Sequence, residues 1–315
     1  MAAGDANRAV CPGPTETSPG YRPYLADCRA YEQATPPYKA GSLVESLQAV
    51  SSDGGKLIVT SYGGFAGAEN NEQGTSVFSA GIYELSRSTT GWLVEALAPP
   101  ASEVSHSVYV TASTDAERTL WELVEPPQPP SEESPPEKEI LEANTRYSLA
   151  MRVHESGTPP RFESIGPENP TSEARDFRDF AFQGASHDLS HVVYAIENIE
   201  GATWPGDTSE EGVESLYEYV GKNNTEPRLV GVKNAGRLEG KPHVNEGAEL
   251  ISTCGTYLGA PLGSRYNAVS DSGDLVFFTA AECGGGPAAN TLFARVNEES
   301  TIPISQPTRP ISAKQ

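Results

Sequence analysis

One short pattern occurs four times, and it constrains this chain more than any other feature. Ser51–Val59 reads SSDGGKLIV, Ser113–Trp121 reads STDAERTLW, Ser186–Tyr194 reads SHDLSHVVY and Val269–Phe277 reads VSDSGDLVF. Aligned on Asp53, Asp115, Asp188 and Asp271, each copy has an apolar run that begins four or five residues after the aspartate. An extended segment precedes each copy (SLQAVS, SVYVTAS, FAFQGAS, RYNAVS). A third segment follows, carrying Tyr83, Tyr147, Tyr217 or Phe293 (GIYELS, RYSLAM, SLYEYV, TLFARV), and a fourth closes the unit (WLVEAL, RFESIG, PRLVGV, STIPIS). The runs are short, rich in Val, Ile, Tyr and Phe, and bounded by Gly, Pro, Asn, Asp and Ser. That is strand patterning rather than helix patterning. With 26 prolines and 30 glycines there is little room for helices, and the one helix expected is short, over Glu137–Ala143.

Four sequential strands, repeated four times, predict an all-β fold of antiparallel β-propeller blades. In a tight first hairpin the aspartate can accept hydrogen bonds from amides one to three residues on, with the Gly or Ser two residues later easing the backbone. A residue that recurs once per blade is scaffold more often than catalyst. Asp53, Asp115, Asp188 and Asp271 are therefore read as turn residues and not as metal ligands, because no run of alternating acidic residues brings several oxygens together.

On these residues the chain resembles the TolB-like, or WD40-like PD40, β-propeller repeats of secreted bacterial proteins. The best matches are GASHDLSHVVYAIEN with SLYEYVGKNNTEPRLVGV, and AVSDSGDLVFFTA with TLFARV. The second copy departs from the pattern, with Glu117 at the glycine place and a proline-rich insertion. The resemblance covers roughly Leu43 to Ser305 and divides the chain into a cysteine-containing lead-in (1–42), the blades (43–305) and a tail (306–315). The lead-in LADCRAYEQATPPYKAGS is similar to segments that precede such repeats in large secreted proteins. The resemblance implies ligand or protein binding and brings no catalytic residue set to this chain. Four blades are few for the family, so an irregular ring or part of a larger one is expected.

In a four-strand blade the second-to-third and fourth-to-first connections leave one end, and the two remaining turns leave the other. The long segments here (GGFAGAENNEQGTSVFSA, EPPQPPSEESPPEKEILEAN, NIEGATWPGDTSEEGVE and KNAGRLEGKPHVNEGAELISTCGTYLGAPLGS) all fall on the first end. Function on rigid scaffolds concentrates in such loops. Trp204 and Asp207 in ATWPGD, and His243, are the candidate ligand contacts; for Trp204 the favoured alternative is that it packs its own loop. EPPQPPSEESPPEKE, with prolines among like charges, is expected to be an extended or disordered spacer.

Four cysteines, Cys11, Cys28, Cys254 and Cys283, show no C-x-x-C spacing, so neither a zinc site nor a thioredoxin-type motif is expected. The blade map pairs Cys254 with Cys283, because both leave the long-loop end of neighbouring strands, and leaves Cys11 for Cys28 in the lead-in. Disulfides imply an oxidising compartment, hence an extracellular or cell-surface protein, although MAAGDANRAV carries no signal peptide. Lys and Arg number 22 against 43 Asp and Glu, a formal charge of −21. Such a surface repels nucleic acid and anionic membranes. No G-x-S-x-G, H-E-x-x-H or P-loop occurs, and no cofactor is implied. His106, His154, His187, His191 and His243 show no catalytic spacing, and His187 and His191, flanking a hairpin, are expected to face solvent. The function expected is a secreted, non-enzymatic β-propeller that binds protein or carbohydrate through its long-loop face, with neighbouring domains of a longer chain as further partners. The alternative is an extracellular propeller hydrolase acting on glycans or peptides.

Overall fold

A computed structural model describes residues 33–36, 43–65, 81–88, 91–99, 104, 106–124, 147–154, 158–166, 181–198, 204, 206–233, 244–260, 265–284 and 291–305. The expected helix over 137–143, the spacer 125–139, His243, Cys11 and Cys28 lie outside them. The described residues form strands β1 (Val44–Val50), β2 (Lys56–Ser61), β3 (Gly81–Ser88), β4 (Gly91–Ala96), β5 (His106–Ala112), β6 (Arg118–Val124), β7 (Tyr147–Val153), β8 (Arg161–Gly166), β9 (Ala181–Ala185), β10 (His191–Glu197), β11 (Glu214–Val220), β12 (Arg228–Leu229), β13 (Thr256–Leu258), β14 (Leu275–Ala280), β15 (Thr291–Val296) and β16 (Ser300–Pro303). Four four-stranded antiparallel sheets result, each in sequential strand order, which is the topology of propeller blades. Among the described residues no helix is long and apolar enough to cross a membrane. The chain divides into two compact units, Met1–Ala116 and Glu117–Gln315, with the boundary in the turn between β5 and β6.

Burial explains why the inner strands read as continuous apolar runs. β10 (HVVYAIE) and β11 (ESLYEYV) are buried at every central position. Alternate residues of such a strand point to opposite faces, so both faces of the third sheet are covered. Val193, Ala195, Leu216 and Val230 pack with Leu258, Val276, Phe278 and Ala280 of the fourth sheet. Ile196, Tyr217 and Leu229 pack on the other side with Trp204, Val232 and Leu250. β1, by contrast, is an edge strand, mostly exposed and broken by two register shifts. Irregularity of this kind blunts a free edge against further pairing.

The recurring turn is pinned by its serine as much as by its aspartate. In the first copy Ser51 N donates to Lys56 O at 3.0 Å, Lys56 N donates to Ser51 Oγ at 2.8 Å, and Ser51 Oγ donates to Asp53 Oδ1 at 2.6 Å. The third copy repeats this. Ser186 N donates to His191 O at 2.9 Å, His191 N to Ser186 Oγ at 3.0 Å, and Ser186 Oγ to Asp188 Oδ1 at 2.8 Å. Ser113 Oγ donates to Asp115 Oδ1 at 2.6 Å. The carboxylate also takes the amide two residues on, from Gly55 at 2.8 Å and from Ser190 at 3.0 Å. These bonds, led by the Ser51 hydroxyl, hold the Asp53 carboxyl below its ordinary value. At Asp188 partial burial opposes the shift, but the bonds from Ser190 and Ser186 prevail and the carboxyl is again lowered.

Two details of the sequence reading are corrected. The left-handed residue is the one directly after the aspartate, with φ +69° at Gly54, +54° at Ala116 and +58° at Leu189. It is not the Gly or Ser two residues later. Ala116 and Leu189 are accepted there because their side chains are buried, and burying a leucine is worth about 1.5–3 kcal/mol against about 1–2 kcal/mol of strain. In the fourth copy the register is set by Ser270. Ser270 N donates to Leu275 O and Leu275 N to Ser270 Oγ, and Gly273 takes the positive φ, +84°. Ser272 therefore occupies the place of Asp53, and Asp271 stands one residue earlier. A further correction concerns the first strand of this sheet. RYNAVS contributes only the bridge Val269–Val276, and β13 comes from the upstream TYL.

The residue five beyond the serine reaches the turn of the next sheet within each unit. Lys56 Nζ donates to Ala116 O at 3.5 Å, and Arg118 Nη1 donates to Asp188 O at 2.8 Å. His191 lies over Gly273, where an added Cβ would stand 2.2 Å from the imidazole ring. His191 therefore does not face solvent. Its Nδ1 is 2.8 Å from Glu218 Oε1, whose side chain is 2% exposed. The Glu218 bond raises the imidazole above its ordinary value against the opposing effect of burial. His187 is more open, with Nε2 at 3.1 Å from Asp271 Oδ1.

Candidate functional site

In every sheet the connections that follow the second and fourth strands leave from one end of the strands. In the second unit, three of these connections meet at the end shared by the third and fourth sheets. Their described parts are 198, 204 and 206–213 after β10, 230–233 and 244–255 after β12, and 281–284 after β14.

The first connection is folded down onto its own sheet by two buried polar residues. Asn198 Nδ2 donates to Ser209 O at 2.7 Å, and Asn198 exchanges backbone bonds with Gly212 and Val213. Asp207 Oδ1 accepts from Ser209 N at 3.0 Å and Ser215 Oγ at 3.3 Å, and Asp207 Oδ2 accepts a short bond from Tyr217 Oη. Trp204 packs edge-on against Tyr217, ring centroids 4.7 Å apart, and is 0% exposed. Gly206 is required here, because a Cβ would stand 2.2 Å from Asn245 O. Of the two described residues predicted as ligand contacts, Trp204 and Asp207, neither presents its side chain to solvent. Both hold the loop. A carboxylate between a hydroxyl and two other donors, flanked by a tryptophan, is a packed polar core.

The second connection runs over that platform. Asn245 Oδ1 accepts from Leu229 N at 2.9 Å and its Nδ2 donates to Pro227 O at 2.9 Å, tying 244–250 to β12. Glu210 N donates to Thr253 O at 2.8 Å, joining the first connection to the second. Ser252 Oγ donates a short bond to Ala281 O, and Ala281 N donates to Gly255 O at 3.1 Å, joining the second to the third. A disulfide between Cys254 and Cys283, Cα atoms 5.3 Å apart, crosses the same junction. This is the pairing the blade map predicted. Glu210, Glu211, Glu282, Cys283 and Gly284, on or next to the residues of this junction, are exposed. Glu210 Oε1 is 3.3 Å from Cys254 Sγ, and Thr253 Oγ1 donates to that same oxygen at 3.3 Å. Sequence reasoning missed Glu210 and Thr253. In a chain with 43 acidic residues no single glutamate stands out, and Thr253 gains its place only from the fold.

No protein-family model and no curated protein sequence matches this chain. Among solved structures it is similar to a prolyl endopeptidase from a study of two such enzymes and of inter-domain dynamics in their catalysis and specificity. The identity there is 14%, over 84% of this chain and 28% of that one, with a TM-score of 0.37. A post-proline cleaving enzyme from Rickettsia typhi gives 10% identity, 83% and 28% coverage and a TM-score of 0.37. Prolyl oligopeptidase B from Galerina marginata gives 12%, 80% and 27%, and 0.30. The chain spans a little over a quarter of the length of these proteins.

Proposed function

We propose that this chain is a secreted, non-enzymatic β-propeller module that holds a protein or carbohydrate ligand on the long-loop end of its third and fourth sheets. The observation that carries the reading is the way three long connections are locked into one surface by Glu210–Thr253, Ser252–Ala281 and Cys254–Cys283. Loops fixed in advance lose little entropy on binding, which favours recognition. The cross-link fits an oxidising, extracellular setting, and the repeat resembles TolB-like and PD40 propellers, in which binding is the usual role. The exposed glutamates of this end select a basic or neutral polar ligand over an anionic one.

The test is a binding screen of the labelled full chain on glycan and peptide arrays, repeated with Glu211→Lys and Glu282→Lys combined. Hits that the double variant weakens at least about tenfold support the reading. Hits indifferent to it, or turnover of a glycan or peptide by the parent, would replace it.

A further inference from the structure

The junction holding Cys254 and Cys283 has a second chemistry besides cross-linking. We propose that, once the disulfide is reduced, Cys254, Cys283 and Glu210 form a three-ligand site for a borderline-soft divalent cation of the zinc class. Cys254 Sγ, Cys283 Sγ and a Glu210 carboxylate oxygen all lie within 4.8 Å of one another. Thiolates and carboxylates bind Zn²⁺ at about 2.3 Å and 2.0–2.2 Å, so tetrahedral ligand atoms sit about 3.6–3.8 Å apart. Glu210 Oε1, at 3.3 Å from Cys254 Sγ, is already near that spacing. On reduction the two sulfurs, bonded to each other in the oxidised form, must separate to that spacing across Cα atoms 5.3 Å apart. Cys283 is exposed and is followed by Gly284, where an added Cβ would meet nothing within 4 Å.

The surroundings suit a cation. Thr253 Oγ1 donates its one proton to the Glu210 carboxylate at 3.3 Å and so orients that ligand; it also lies 3.4 Å from Cys283 Sγ. Outer partners of this kind set ligand geometry. Two thiolates and a carboxylate carry three negative charges, which a divalent ion reduces to one. The exposed side leaves a fourth position for water. A hard cation such as Ca²⁺ or Mg²⁺ does not take thiolate ligands, so it is not the ion selected. The frame does not depend on the S–S bond. Glu210 N–Thr253 O, Ala281 N–Gly255 O and the β13–β14 pairing Thr256–Ala280 hold all three connections without it.

A phosphine with water gives two electrons and two protons to the S–S bond, becoming the phosphine oxide, and each sulfur becomes a thiol. In the metal-free reduced state the Cys254 thiol donates to Glu210. The cation then displaces both thiol protons as it binds.

The test uses the full chain with Cys11→Ser and Cys28→Ser, leaving this one pair of cysteines. After phosphine reduction and anaerobic desalting, Co²⁺ is added as the probe. One equivalent should develop thiolate-to-cobalt charge-transfer absorption, and Zn²⁺ should abolish it. The oxidised protein should show none. Glu210→Gln should weaken the Co²⁺ affinity of the reduced protein at least about tenfold. Circular dichroism follows the sheets throughout. Three outcomes would overturn the proposal. They are equal cobalt uptake before and after reduction, a Glu210→Gln protein that titrates like its parent, and loss of the sheet signal on reduction that Zn²⁺ does not restore.

Discussion

Replacing Ser186 by alanine tests which residue of the repeated turn carries its stability. Ser186 is 2% exposed, and its hydroxyl serves two partners. It accepts from His191 N at 3.0 Å and donates to Asp188 Oδ1 at 2.8 Å. Removing it strands the His191 amide in the turn, and an unmade buried bond costs about 1–3 kcal/mol. The lost bond to Asp188 adds less. That side chain is 60% exposed, so water replaces the donor and the contribution falls to a few tenths of a kcal/mol. The total is about 1–3.5 kcal/mol, or about 2–14 °C in Tm for a unit of this size. Asp188→Ala, which leaves the serine's two backbone-directed bonds in place, should cost less than half as much. Urea denaturation followed by circular dichroism measures both, and hydrogen exchange at the His191 amide reports the turn directly. Were Asp188→Ala the more damaging, or the His191 amide equally protected in both variants, the serine-centred account of the turn would be wrong.

Gly273→Ala should destabilise by about 2–4 kcal/mol, because it combines a positive φ with a Cβ 2.2 Å from the His191 ring. Gly54→Ala, at φ +69° with nothing within 4 Å, should cost only about 1–2 kcal/mol, and paired melts give the difference. The His191–Glu218 pair makes stability depend on pH. Its imidazole is raised when folded, so the contribution is whole below the unfolded value of about 6.5 and fades as pH rises through the folded value. Melting curves across that window should lose this slope in His191→Gln. Replacing Cys254 and Cys283 together by serine should cost about 3–4 kcal/mol for a cross-link spanning 29 residues, read from denaturation of oxidised parent and variant. Asp207→Ala strands Tyr217 Oη and Ser209 N together and should cost about 2–4 kcal/mol, with a loss of protection in 206–213 by hydrogen exchange.

Apart from β13, which comes from TYL rather than RYNAVS, strand content and order were readable from residues alone, because a half- or fully buried strand must place apolar side chains at short, fixed intervals. VVYAI, SLYEYV and LVFFTA could be little else. The Cys254–Cys283 pairing followed from the same map, since topology brings those two loops together. Fine register did not follow. A string match on aspartate set Asp271 beside Asp53, whereas the fold aligns Ser270 with Ser51, because the backbone closes its hairpin on the serine. Local spacing also says nothing about burial. Trp204 and Asp207 look like loop-tip contacts in sequence and are packed against Tyr217 in space. His191 looks like a turn residue and is held by Glu218, 27 positions away. Short-range hydrophobic rhythm is written along the chain, but the partner of a polar side chain is supplied by a distant segment. Only folding brings the two within bonding reach.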